Sequence, residues 1–255
     1  MNRDIKIAKE YHEGTKHSYW SVRRGDHELD WATQPSTFKR HMGVPAFPLP
    51  LELDLPLSNT MNSIEGAGRP SDDEYRPLNL SRLAQVLYLS YGLTAKKVYP
   101  GASYYLRSAP SAGALYPNEV YPIVGEVEGL EAGVYHYSVG DFSLCRIRRG
   151  DLVERVMQAC GPNPSQAPLV FALTSIFWRS SWKYRDRAYR YCLLDTGHLA
   201  GNFLALGGSL GLPVALINNF IDEEINKLIG VDGKEEATIS LLSLGRRSSP
   251  PSVRD

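Results

Sequence analysis

The stretch RSAPSAGALYPNEVY, Arg107 to Tyr121, decides how this chain folds. Its first half is almost bare: from Ser108 to Ala114 every residue except Pro110 is Ser, Ala or Gly. Small side chains let a flat object approach the backbone and leave amide N–H groups free to donate. Arg107, at the edge of the run, offers a planar fork that suits a phosphate or an electron-rich ring oxygen. The competing reading is structural, a tight strand-to-helix crossing in which small residues permit close packing. The second half passes into EVYPIVGEV, a strand in which Pro122 predicts an edge or an irregularity.

Working outward, PLNLSRLAQVLYLSYGLT precedes the run. Asn79 is placed to cap a helix whose Leu80, Leu83, Ala84, Leu87 and Tyr91 share one face, and Gly92 supplies the stop. After the run, GVYHYSV and FSLCRIRR alternate around Gly140-Asp141 as a hairpin. Asp151 caps a short helix, LVERVMQAC, and PLVFALTSIF reads as a buried strand. A long helix is expected from about Trp182 to Leu210, then a strand in PVALINNF, a helix in DEEINKLIG and a last strand in ATISLLSLG. Strands and helices do not alternate regularly, which predicts α+β with a mixed sheet over a doubly wound fold. Residues 1–77 are punctuated by proline and read as an arm wrapping the body. Residues 78–248 form the core, and 249–255 a frayed tail.

Bulk composition narrows the function. The 255 residues are 43% hydrophobic, enough for a sizeable core. Lys plus Arg and Asp plus Glu balance at 28 each, so no global field recruits nucleic acid or an anionic membrane. Three cysteines without a CxxC pair argue against a disulfide framework and point to a reducing, cytoplasmic setting. The start, MNRDIKIAKEYHEG, is too polar for a signal peptide, and Leu199–Ile217 carries glycines and Pro213 unlike a membrane span. Neither an HExxH motif nor paired metal-ligand spacing occurs, and no GxGxxG fingerprint is present.

The run RSAPSAGALYPNEVY, followed by KYRDRAYRYCLLDTGHLAGNFLALGGSLGL from Lys183, resembles the SagB-type dehydrogenases of the FMN-dependent nitroreductase superfamily. That group includes the oxidases that turn thiazolines and oxazolines into azoles in peptide natural products. The arm's YHEGTKHS and LDWATQPSTFKRH are similar to the N-terminal segments of stand-alone members, so the likeness spans nearly the whole chain. The resemblance implies a nitroreductase-like three-layer α-β-α sandwich with a mixed, mainly antiparallel sheet. It also implies an intertwined homodimer holding one FMN per protomer at the subunit interface. Carried onto this chain, it places Arg107, Ser108, Pro110, Ser111 and Gly113 against the flavin, Asn218 and Asn219 near flavin N5, and Gly245 and Arg246 at the phosphate. One departure stands out. The Arg-rich pattern that precedes the first core helix of ordinary nitroreductases is replaced by GRPSDDEYRPLNL, which leaves Arg69 and Arg76.

Arg179, Lys183, Arg185, Arg187 and Arg190 crowd the start of the expected long helix, opposed only by Asp186. Cations there oppose the helix dipole, so the segment is either a screened, solvated surface or a place to which an anion comes. Lys183-Tyr184 matches the Lys-Tyr pair to which azoline oxidases' proton transfer is assigned. Dehydrogenating an azoline sends a hydride from one carbon to flavin N5 while a base removes a proton from the neighbouring atom. Crowding by neighbouring cations and a helix N-terminus would favour the neutral amine needed for that. Asp195 and His198, three apart, share a helix face and suggest a buried structural network around the histidine. Gly197 and Gly201 leave a stripe for close helix packing, in this family a place for the dimer axis. Tyr116, Trp178, Trp182 and Tyr189 are either pocket walls or core.

Three functions are compatible with these residues. The first is an FMN-dependent dehydrogenase or oxidase acting on a heterocycle in a peptide or small molecule, with a biosynthetic partner enzyme such as a cyclodehydratase. The second is an NAD(P)H-dependent nitro or quinone reductase. The third is a non-catalytic flavin-binding component of a biosynthetic complex. Lys183-Tyr184 favours the first over the second, because simple nitro reduction needs no dedicated side-chain base.

Overall fold

The computed structural model describes residues 5–23, 28–55, 59–65, 77–161 and 167–246. The arm supplies helices α1 (Ile5–Gly14) and α2 (Tyr19–Arg23), strand β1 (Ala46–Pro48) and helix α3 (Thr60–Glu65). The core follows with α4 (Leu80–Tyr91), β2 (Leu93–Tyr99), β3 (Ala102–Arg107), β4 (Asn118–Val124), β5 (Gly133–Ser138), β6 (Ser143–Arg149), α5 (Val153–Gln158) and β7 (Leu169–Ile176). It ends with α6 (Phe177–Tyr184), α7 (Ala188–Leu210), β8 (Val214–Ile217), α8 (Asp222–Ile229) and β9 (Glu236–Leu244).

Seven strands make one sheet in the order β1-β6-β5-β4-β7-β9-β8. Each ladder between described strands is antiparallel, and the parallel pairing among the described residues is an isolated bridge between Asn79 and Glu128, outside the strands of this sheet. The period of two along the central strands sorts side chains onto two faces. Val120, Val124, Leu169, Phe171, Leu173, Leu242 and Leu244 join α4 and α7 residues such as Leu83, Leu87, Leu199 and Phe203 in one core. Tyr121, Ile123, Val170, Ala172 and Leu241 join α5 and α8 residues such as Val156 and Ile225 in the other. The result is the α-β-α sandwich. No helix among the described residues is long and apolar enough to cross a membrane.

Local chemistry explains most boundaries. Asn79 caps α4 by accepting from the Arg82 N–H at 2.9 Å, and Asp151 accepts from the Val153 N–H at 3.0 Å at the start of α5. Pro122 lies in an interior strand, not at an edge. It pairs with Phe171 of β7, while the β4–β5 ladder is confined to Ile123 and Val124, so the irregularity falls on the β5 side. The long helix is not continuous. Arg185 takes a left-handed φ of 48° and Arg185–Arg187 forms a tight turn, which splits the segment into α6 and α7. Contacts from the arm to Trp182, Asp186 and Arg187 on both sides of this turn override a helical propensity that ran straight through it. A two-stranded ribbon, β2–β3, turns at Pro100-Gly101 and leads directly into the small-residue run.

The arm is tied down by polar groups more than by a core of its own. The helices α1 and α2 bury none of their residues. Its strand β1 extends the main sheet beside β6, and Leu49 enters the larger core. Elsewhere, body side chains donate to arm carbonyls: Trp182 to Asp30, Arg179 to Ser36 and Arg107 to Thr37. Lys39 of the arm reaches back to Tyr121 at 2.6 Å and pairs with Glu236.

Candidate active site

The small-residue run forms a ribbon with one side fastened and the other open. Ser108 anchors its start through backbone and hydroxyl bonds to Gly92 and Tyr88 carbonyls, at 3.0 and 2.9 Å. Ser111 Oγ donates to Asp195 Oδ2 at 2.6 Å and accepts from the Tyr116 N–H at 2.9 Å, while the Ala112 N–H points at the same carboxylate at 3.3 Å. Asp195 thus fastens the ribbon to α7. Its carboxyl is pushed above the usual carboxylate range by burial, against the lowering pull of Ser111, the Ala112 N–H and His198. Gly113, Ala114 and Tyr116 all take left-handed φ values, 66°, 54° and 48°, a concentration of backbone strain typical of functional loops. Pro110 and Gly113 are exposed.

Lys183 and Tyr184 stand over this ribbon. A Cβ on Gly113 would lie 2.7 Å from the Tyr184 hydroxyl and 3.2 Å from Lys183 Nζ. Glycine is therefore required twice there, by its φ and by the side chains above it. The Tyr184 ring packs on Tyr191 with centroids 4.4 Å apart, and burial raises the phenol above its ordinary range, with Tyr191 and Asp195 adding to the effect. Lys183 belongs to the last turn of α6. The expected crowding by a helix N-terminus is absent, because α6 ends there.

Of the remaining cations of the segment, Arg185 is exposed, whereas Arg179, Arg187 and Arg190 are taken up by groups of the protein itself. Arg179 is buried, donates to the Ser36 and Tyr116 carbonyls at 2.8 and 2.9 Å, and pairs with Glu119. Burial pushes the Glu119 carboxyl up, but Arg179 and His136 outweigh it and bring it to about 2. Arg187 and Arg190 turn to carbonyls at the end of α1. His198 is exposed, which corrects the expected buried histidine: Asp195 turns to the ribbon and leaves it outside. Nothing lies within 4 Å of a Cβ at Gly197 or Gly201, so any close packing on that stripe is not with this protomer's described residues. Of the aromatic set, Tyr116 and Trp182 are buried, while Trp178 and Tyr189 are half exposed.

The other flagged residues fall into separate places. Arg107 is buried among the rings of Tyr91, Tyr116 and Phe38, 4.5, 4.8 and 5.5 Å from their centroids, with Nη2 on Thr37. Ser108 also lines a groove of about 350 Å³ with Ser63, Asn202 and Ser209. Asn218 accepts from Ser240 at 2.7 Å, and Asn219 packs against Gly161 beyond α5. Gly245, with φ 82°, and the exposed Arg246 follow β9. The ribbon lies where β4 begins and β7 ends, whereas Leu244 pairs with Leu169 at the start of β7. At about 3.3 Å per residue, the length of β7 separates the two groups by roughly 25 Å. Arg69 and Arg76 lie outside the described residues. Tyr191 and the Asp195 clasp were not picked out from sequence, although their i, i+4 spacing places them on one face of α7.

Comparison with known proteins agrees with this architecture. The nitroreductase family pattern matches residues 77–246. A Methanocaldococcus jannaschii protein described as a nitroreductase, MJ1384, is 31% identical over 173 residues, covering 67% of this chain and 82% of its own. The trifolitoxin-processing protein TfxB of Rhizobium leguminosarum bv. trifolii is 27% identical over 94% of this chain and 67% of its own. The microcin B17-processing protein McbC of Escherichia coli is 29% identical, with 54% of each chain covered. Among solved structures, a nitroreductase from Anabaena variabilis superposes with TM-score 0.77 at 36% identity over 93% of this chain. This chain spans 46% of that one, less than half its length. The E. coli microcin synthetase complex McbBCD, with truncated pro-MccB17 bound, contains the same fold with TM-score 0.59 at 20% identity. The matched pattern covers most of the chain, and its fold and relatives agree: the chain belongs to the nitroreductase family of oxidoreductases.

Proposed function

We propose that this protein is an FMN-dependent dehydrogenase of the SagB type that oxidises azoline-like rings in a peptide or related small molecule. The observation that carries the proposal is the placement of Lys183 Nζ and Tyr184 Oη directly over the glycine of an exposed ribbon of small residues. The ribbon suits a flavin's flat approach through its small residues Pro110, Ser111 and Gly113, and the missing Gly113 side chain lets two proton-handling groups close onto it. When bound, FMN supplies the two-electron acceptor.

The chain's own residues then have distinct tasks. Asp195 and Ser111 hold the ribbon in register. Lys183 Nζ and Tyr184 Oη accept and relay the proton that leaves the ring atom next to the carbon being oxidised. Arg107, held among aromatic rings, and Ser108, bonded to the end of α4, fix the start of the ribbon against the flavin, while Arg246 and Gly245 meet the phosphate and Asn218-Asn219 lie toward the reactive edge of the flavin. Because the ribbon and Gly245-Arg246 sit at opposite ends of β7, a single flavin requires both from a homodimer. The open stripe at Gly197 and Gly201 on α7 supports that arrangement. The names of TfxB and McbC, which process trifolitoxin and microcin B17, support a peptide substrate and a biosynthetic partner enzyme.

The test is anaerobic reduction of FMN-loaded protein. A thiazoline- or oxazoline-bearing peptide is expected to bleach the flavin band, and Lys183→Ala to abolish the bleaching while FMN content stays normal. Rapid bleaching by NADPH with none by the peptide would replace this reading with that of a nitro or quinone reductase. Stable flavin unaffected by either would leave a non-catalytic component.

A further inference from the structure

The junction between α6 and α7 is held by a chain of contacts that begins in the arm. Tyr184 precedes Arg185, whose left-handed φ of 48° breaks the helix, so the position of the Tyr184 ring is not dictated by the path of α7. The Tyr184 hydroxyl makes no hydrogen bond among the described residues. What locates the phenol is ring packing: Tyr191 lies against it, centroids 4.4 Å apart and planes tilted by 48°. Tyr191 is in turn held by Arg187 one helical turn earlier, whose Nε reaches the Tyr191 hydroxyl at 3.4 Å and whose Cζ lies 5.9 Å from the ring centroid.

Arg187 is itself oriented from outside the core. Its Nη1 donates to the Thr15 carbonyl just past the end of α1, and Arg190 donates to the Thr15 hydroxyl and the His12 carbonyl, both at 2.8 Å. Tyr11 donates to the Asp186 carbonyl at 2.9 Å. The last turn of a helix leaves carbonyls without intrahelical donors and carries partial negative charge, so two arginines are well matched to it. Helix α1 buries no residue, and this polar end together with the Tyr11 ring against Tyr189 attaches it to the body.

We propose that Tyr191 and Arg187 are positioning residues for Tyr184, and that the end of α1, through Thr15, sets the orientation of Arg187. The proposal deepens the reading of Lys183 and Tyr184 as the proton-handling pair, and rests on it for its catalytic consequence. A side chain displaced by about 1 Å from its working geometry can cost on the order of 10²-fold in rate. Loss of the Tyr191 ring therefore lowers kcat with little change in KM or in FMN content.

The experiment places 3-fluorotyrosine at position 184 in the full chain and follows its fluorine resonance by NMR, without flavin and with FMN added. Tyr191→Phe keeps the ring and is expected to leave a narrow resonance and a titration midpoint near that of the parent. Tyr191→Leu and Arg187→Ala are expected to broaden the resonance and lower the midpoint, because the phenol gains access to water. Tyr191→Leu is also expected to lower the rate of flavin bleaching by a thiazoline-bearing peptide by roughly tenfold or more, with Tyr191→Phe retaining the rate. Unchanged resonances in both Tyr191→Leu and Arg187→Ala would overturn the proposal. Tyr184→Phe with full turnover would instead overturn the proton-handling reading, and the fluorine comparison would still decide the positioning.

Discussion

Replacing Gly113 with Ala probes the ribbon and the pair above it in a single step. At φ 66° an alanine costs about 1 kcal/mol relative to glycine, and Ala114 beside it already tolerates φ 54°. For a chain of this size that is a fall of roughly 2–4 °C in Tm. The larger effect is local. The new Cβ would stand 2.7 Å from the Tyr184 hydroxyl and 3.2 Å from Lys183 Nζ. To regain ordinary van der Waals separation, the hydroxyl must retreat by roughly 0.7 Å and Lys183 Nζ by about 0.2 Å. Both are the far ends of side chains, so they can yield without unfolding anything, but they leave the position from which they act. A retreat of that size is expected to lower turnover by about tenfold or more while stability barely changes. The assay is stopped-flow bleaching of FMN-loaded protein by a thiazoline-bearing peptide, with Tm and flavin content measured on the same sample. Wild-type rates in a variant that folds and holds FMN would refute the placement of chemistry over Gly113.

Asp195→Ala leaves the Ser111 hydroxyl and the Ala112 N–H without their acceptor, and is expected to cost about 1–3 kcal/mol in urea denaturation. Because the folded-state carboxyl is raised, its contribution to stability is present below the unfolded value of 3.8 and is lost as pH rises, so Asp195→Asn should gain on the wild type as pH rises above that value. A gap that is constant with pH would contradict that burial. His41 behaves oppositely. Burial, His136 and Lys39 hold its imidazole at about 4, against the opposing pull of Glu236 and Glu119, so stability present above 6.5 is lost as pH falls toward 4. Thermal melts of His41→Gln should flatten over that range, and melts parallel to the wild type would show that the imidazole is not desolvated. Arg246→Ala is expected to weaken FMN retention about tenfold, whereas Arg148→Ala, whose side chain donates to Lys227, leaves it unchanged. Equal retention would place the phosphate elsewhere.

Periodicity and capping made the core legible in the sequence. Asn79 and Asp151 cap where their types and spacing place them, and the central strands alternate between two apolar clusters as the pattern requires. The bare run from Ser108 to Ala114 also marked the ribbon, because the absence of side chains is itself visible in a sequence. What stayed hidden was set by partners distant along the chain. Arg179, Arg187 and Arg190 look like a charged helix start, yet each has a partner 143 to 178 residues away in the arm that is a backbone carbonyl, which carries no sequence signature. The same contacts break the helix at Arg185, where local propensity favours continuation. Asp195 was visible as a carboxylate on a helix face, but its pairing with Ser111 across 84 residues was not.

The most direct test of the central claim is a crystal structure of the protein with FMN bound. The isoalloxazine ring is expected to lie flat over Pro110–Ala114, with Lys183 Nζ and Tyr184 Oη facing the open space beside it. A flavin bound away from that ribbon, or Lys183 and Tyr184 turned out of reach of its open face, would contradict the account.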